Sequence, residues 1–102
     1  MKITEVRVNL QREEALKAFV SITLDDEFVV RGLKVIQSEK GRFVAMPARR
    51  RNDGTFQDIA HPINQETRRY LESCVMQAYE EALAQTEFGR DGDGELEDSI
   101  EV

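Results

Sequence analysis

Residues 17–36 read KAFVSITLDDEFVVRGLKVI, two apolar runs joined through an acidic pair. Ala18, Val20, Ile22 and Leu24 alternate with residues of the opposite face, the period of a strand with one buried side. Phe28, Val29, Val30, Val35 and Ile36 are β-branched or aromatic and mark a returning strand. With Asp25-Asp26 as turn residues between them, the stretch is a β-hairpin, and its two strands set the sheet around which the rest of the chain is read.

On the N-terminal side, ITEVRVNL (3–10) places Val6, Val8 and Leu10 on one face and Glu5, Arg7 and Asn9 on the other, which is another half-buried strand. On the C-terminal side, SEKG (38–41) makes a second turn with Gly41 free to take a positive φ. RFVAM (42–46) is a further short strand, closed by Pro47, which has no ladder donor to offer. Then comes MPARRRNDGTF (46–56): Asp53-Gly54 is a hairpin signal, so Arg49, Arg50 and Arg51 climb one side of a protruding ribbon and Thr55 to Ile59 descend the other. AHPIN (60–64) is a rigid joint, because Pro62 pushes His61 towards extended backbone and Asn64 can cap the backbone donors of the next segment. Leu71, Cys74, Val75, Ala78, Ala82 and Leu83 recur at spacings of three and four, the apolar stripe of a helix that lies on a sheet or a partner. The expected fold class is α+β: a small antiparallel meander with a C-terminal helix packed on it, paired through strands into a dimer.

After Leu83 the stripe fails. Residues 85–102 hold three glycines, many carboxylates and little to bury, and are expected to be a disordered acidic tail behind a domain of residues 1–84. DGDGE within it has a faint calcium-loop character, but counting from Asp91 puts Leu96 where the turn glycine belongs and Val102 where the bidentate glutamate belongs. Charge is divided in the same way. The chain has a net charge of -6, yet its basic residues lie almost entirely before residue 70, with Arg90 alone beyond it. A basic working surface joined to an acidic helix and tail follows from that division.

Composition limits the chemistry. At 102 residues with 40% hydrophobic and 33% charged residues, the chain is one domain of modest core, which favours self-association. No window approaches the roughly 18 apolar residues of a membrane span, and no apolar leader block follows Met1, so a cytoplasmic, membrane-free protein is expected. The single cysteine, Cys74, forms no intramolecular disulfide and sits on the helix stripe as a small hydrophobe. One histidine, His61, and one cysteine do not make a zinc site, no serine stands in a nucleophile elbow, and Gly32, Gly41 and Gly54 are isolated turn or bulge residues rather than a phosphate-cradling loop. No enzyme activity, cofactor or small-molecule substrate is expected. What remains is binding. Two copies of Arg49, Arg50 and Arg51 on one face, with Arg68, Arg69, Lys34 and Arg42 as additions, would present an array suited to the dense phosphate charge of nucleic acid.

The order of these motifs is recognisable. SITLDDEFVVRGLKVI, GRFVAMPARRRNDGTFQDIAHPIN and ETRRYL closely resemble the SpoVG family of bacterial septation and stage V sporulation protein G regulators, over essentially residues 1–84. The resemblance implies a strand-paired dimer that acts as a site-specific DNA-binding regulator of gene expression, with RNA bound by some members. It places sequence preference in the basic loop and the start of the following helix, which are Arg49, Arg50, Arg51, Arg68 and Arg69 here; Gln65 stands beside them at the helix start. Beside this reading stands an adaptor that holds a protein partner through its sheet edge or its acidic helix and tail.

Overall fold

A computed structural model describes residues 1–87. Its elements are β1 (Ile3–Leu10), β2 (Leu16–Leu24), β3 (Phe28–Ser38), β4 (Gly41–Ala45), β5 (Ala48–Arg50), β6 (Phe56–Asp58) and α1 (Gln65–Glu87). The first four form one antiparallel sheet in the order β1-β2-β3-β4, and β5 and β6 form a separate two-stranded ribbon. The α+β meander with its C-terminal helix is therefore as expected.

The central hairpin turns where the two aspartates stand. Asp25 and Asp26 take φ of 52° and 57°, and the Glu27 N–H donates to the Leu24 carbonyl at 2.9 Å. Two positive φ values in a row match the right-handed twist of the strands they join, and aspartate tolerates them better than most side chains. The start of β1 braces the turn: the Asp25 N–H reaches the Lys2 carbonyl at 2.8 Å and the Asp26 N–H reaches Thr4 Oγ1 at 3.0 Å. Further along β3 the register slips between the Val20–Leu33 and Ile22–Val30 pairs, so Arg31 and Gly32 bulge out. Gly32 holds φ at +92°, and a Cβ there would meet the Cβ of Pro47 at 3.4 Å, so the bulge lets the chain after β4 pass close to β3.

One sheet face carries the core. Ala18, Val20 and Ile22 of β2, Leu33 and Val35 of β3, and Val44 and Met46 at the end of β4 pack against Leu71, Val75 and Tyr79 of α1. No polar or charged residue is buried among the described residues, so this core rests on apolar contact alone. The helix stripe centres on residues four apart. Tyr79, which the apolar count passes over, is 2% exposed, whereas Cys74, Ala78 and Ala82 are half-buried flanks. Tyr70 ties the helix to β1, its Oη accepting the Ile3 N–H at 2.8 Å. The helix also continues to Glu87, past the expected boundary at residue 84; the remainder of the acidic tail, residues 88–102, lies outside the described residues.

Among the described residues no element covers the other sheet face. A slip between Leu16 and Ala18 turns Leu16 to that side, where it pairs with Ile36, which pairs in turn with Phe43. Phe19 and Val29 lie on the same side, and Phe19 and Phe43 are 40% and 48% exposed.

Candidate nucleic-acid interface

The ribbon grows from a buried root. Pro47 ends the run of β4 and is itself buried; the Ile59 N–H donates to its carbonyl at 2.7 Å and closes the base of the β5–β6 pair. Between these points Ala48 faces Asp58, Arg49 faces Gln57 and Arg50 faces Phe56. At the tip the Arg51 N–H donates to the Thr55 carbonyl at 2.7 Å and the Gly54 N–H to the Arg51 carbonyl at 3.0 Å.

That pattern makes Asn52, Asp53 and Gly54 a three-residue loop with the glycine in the left-handed region, φ +91°. The hairpin expected at Asp53-Gly54 is present, but Asp53 does not share the turn's positive φ. Its carboxylate instead ties the tip together, since Oδ1 accepts the Thr55 hydroxyl at 2.7 Å and the Thr55 N–H at 3.0 Å. The hydroxyl first and the N–H second hold the Asp53 carboxyl below the ordinary carboxylate range.

Strand alternation corrects the picture of the arginines. Neighbours in a strand point to opposite faces, so Arg49 and Arg50 cannot share one, and the three arginines do not form a single flat array. All three are exposed, as expected, and each face of the ribbon has a guanidinium.

The helix start is built separately. Asn64 Oδ1 accepts the Thr67 N–H at 2.7 Å, and the Asn64 carbonyl accepts the Arg68 N–H at 3.2 Å, so Asn64 is the N-cap as the sequence indicates. Gln65 and Arg69 project into solvent; Arg68 is half-buried, with Nη1 at 3.8 Å from Glu72 Oε2 one turn on. Two arginines at the positive end of a helix dipole oppose it, and the last turn holds no basic residue to complement the negative end. The Glu72 pair offsets this at Arg68, and Glu66 in the first turn suits the dipole.

The joint connects the two groups. A cavity of about 190 Å³ is lined by Pro47 at the ribbon root, Ala60, His61 and Pro62 of the joint, Thr67 and Leu71 of the helix, and Ile22, Leu33 and Met46 from the sheet side. Ribbon root and helix start therefore bound the same space. His61 is a joint residue: its Nδ1–H donates to the Pro62 carbonyl at 2.9 Å.

Two additions to the basic set do not join it. Arg42 lies on the helix side of β4, where its guanidinium stands 5.3 Å from the centre of the Tyr79 ring and its Nε donates to Gln37 Oε1 at 3.1 Å. Lys34 pairs with Phe19 and Ala45 on the uncovered sheet face. What sequence reasoning missed is apolar. Phe56, Ile59 and Ile63 are 69%, 65% and 89% exposed, along the stretch from the ribbon to the helix cap. The signal was there: an aromatic inside an otherwise polar run, GTFQD.

No helix among the described residues is long and apolar enough to cross a membrane. Comparison with known proteins gives one answer. The chain is 60% identical over 83 residues to a protein of Bdellovibrio bacteriovorus, covering 81% of this chain and 77% of that one, and 60% identical over 83 residues to one of Anaeromyxobacter sp. (81% and 86%). It is 56% identical over 88 residues to one of Clostridioides difficile (85% and 96%). Each of the three bears the name "Putative septation protein SpoVG". The SpoVG family model matches residues 1–81, which takes in the sheet, the ribbon, the joint and most of α1, and with that match the chain belongs to the SpoVG family.

Proposed function

We propose that this protein is a cytoplasmic, homodimeric regulator that binds nucleic acid through the β5–β6 ribbon and the start of α1, and by that binding influences gene expression, septation and sporulation or related development. The observation that carries the reading is the exposed basic ribbon, rooted at buried Pro47 and held in shape by Asp53, beside a helix start that carries Arg68 and Arg69. Arg49, Arg50 and Arg51 contact phosphates, which sets affinity; Gln65, Arg68 and Arg69 contact base edges or the groove, which sets preference. DNA and RNA offer the same phosphates to the ribbon. The names of the relatives speak of septation, and a regulator acting upstream of that process is consistent with them.

Homodimerisation has its own support. Phe19, Ile36, Phe43 and Leu16 make an apolar strip on the sheet face away from the helix, and among the described residues β1 and β4 are the unpaired edges. A second copy laid on this side would bury both strip and edge, and would place a second ribbon at a fixed distance from the first.

Titration of labelled genomic and random DNA duplexes with the full-length protein at two salt concentrations tests the reading. Two phosphate contacts per ribbon in a dimer give a slope of log K against log salt of roughly -3.6. Absence of binding at low salt would favour the adaptor, with the arginines as solvated charges.

A further inference from the structure

We propose that Phe56 is a stacking platform for an unpaired base, so that the ribbon takes single-stranded nucleic acid, RNA or locally opened DNA, in preference to a closed duplex. The inference rests on the nucleic-acid reading of the ribbon and specifies which form of the ligand fits it.

Phe56 stands directly across from Arg50 in an antiparallel pair, so the ring and the guanidinium rise from the same face of the ribbon. The ring is 69% exposed, and among the described residues the ribbon is a two-stranded sheet of its own. A nucleotide presents two chemistries a short distance apart, a phosphate and a flat base, and this face carries a cation and a flat ring on directly paired residues. In a closed duplex the base faces are covered by their neighbours, and only an unpaired or extruded base offers one. Alternation points the same way: Arg49 and Arg50 lie on opposite faces. A rigid duplex laid against the Phe56 face reaches Arg50 and not Arg49, whereas a flexible strand can pass around the ribbon and meet both. The Asp53–Thr55 hydrogen bonds hold the tip fixed, so the ring is presented in a set position at little ordering cost.

The test uses the full-length chain and one mixed-sequence 20-mer, labelled and offered as a single strand or annealed to its complement. Phe56→Ala should weaken the single strand by about 5- to 150-fold and the duplex by less than twofold, with the salt slope unchanged, because stacking releases no counterions. Phe56→Leu, apolar but not flat, should behave as the alanine variant does. The chain has no tryptophan, so Phe56→Trp supplies a single reporter whose fluorescence should be quenched by the single strand and not by the duplex. The proposal is overturned if Phe56→Ala leaves single-strand affinity intact, if it weakens both forms equally, or if leucine restores binding. A loss of dimer in Phe56→Ala by sedimentation, with single-strand binding unchanged, would also overturn it and make the ring a contact between copies. In each of those cases weakened binding by an Arg49→Ala, Arg50→Ala, Arg51→Ala triple variant keeps the nucleic-acid reading standing; wild-type protein that binds neither form removes both.

Discussion

Asp53 shows how one side chain fixes the geometry of a charged loop. It is fully exposed, so its value lies in the hydrogen bonds it accepts and not in burial, and its lowered pKa records the same bonds. A carboxyl whose folded pKa lies below the ordinary 3.8 stabilises the fold fully above that value and loses the contribution as pH falls through the folded pKa. The tip therefore keeps its shape across neutral and mildly acidic pH. Replacing Thr55 with valine removes the hydroxyl donor, and the Asp53 pKa should rise towards its ordinary value; carboxyl-carbon NMR titration reads the change directly. An unaltered titration would mean that the Thr55 hydroxyl does not hold the carboxylate in solution.

At the scale of elements, the helix has an exposed start and a packed body. Leu71, Val75 and Tyr79 lock α1 onto the sheet, while Gln65, Arg68 and Arg69 stand at its open start. Val75 is fully buried, so Val75→Asp places an unpaired carboxylate in a core without polar groups. The cost should be several kcal/mol, a large part of the 5–15 kcal/mol typical of a domain, and thermal unfolding should show a collapse of Tm with loss of binding. A stable Val75→Asp protein would place the helix stripe outside the core. Most of this level was legible in sequence: alternation in 3–10 and 17–36 gave the strands, and the three-four spacing gave the helix. Tyr79 escaped because three-four spacing also fits Cys74, Ala78 and Ala82, and only contact with the sheet shows that the Tyr79 ring fills the same layer as Leu71 and Val75. The helix end escaped because Gln85, Thr86 and Glu87 add nothing to an apolar stripe yet continue the backbone hydrogen bonding.

At the scale of the whole molecule, the helix occupies one sheet face, and the other is the one proposed above for a second copy. Phe19→Glu with Phe43→Glu puts charge on the uncovered strip without touching the core face, so the double variant should stay folded and sediment as a monomer. Its affinity for nucleic acid should fall towards that of a single ribbon, and its salt slope should be about half the parent's. A folded, dimeric double variant would move the dimer contact elsewhere. The candidate site was legible only in part. Sequence located Arg49 to Arg51 on a ribbon and Arg68 and Arg69 at a helix start, because turn and cap signals are local. It did not reveal that alternation separates Arg49 from Arg50, that Arg42 stacks on Tyr79, or that Phe56 faces Arg50, since each depends on register or on contacts between distant segments.

The central claim is that the ribbon holds phosphates. Its most direct test compares the wild-type chain with the Arg49→Ala, Arg50→Ala, Arg51→Ala triple variant in titrations of one DNA fragment over a series of salt concentrations. Exposed charges on a hairpin contribute little to stability, so the triple variant should keep its Tm and its dimer while its affinity falls and its slope of log K against log salt flattens from roughly -3.6 towards zero. An unchanged slope and affinity in a folded triple variant would contradict the account.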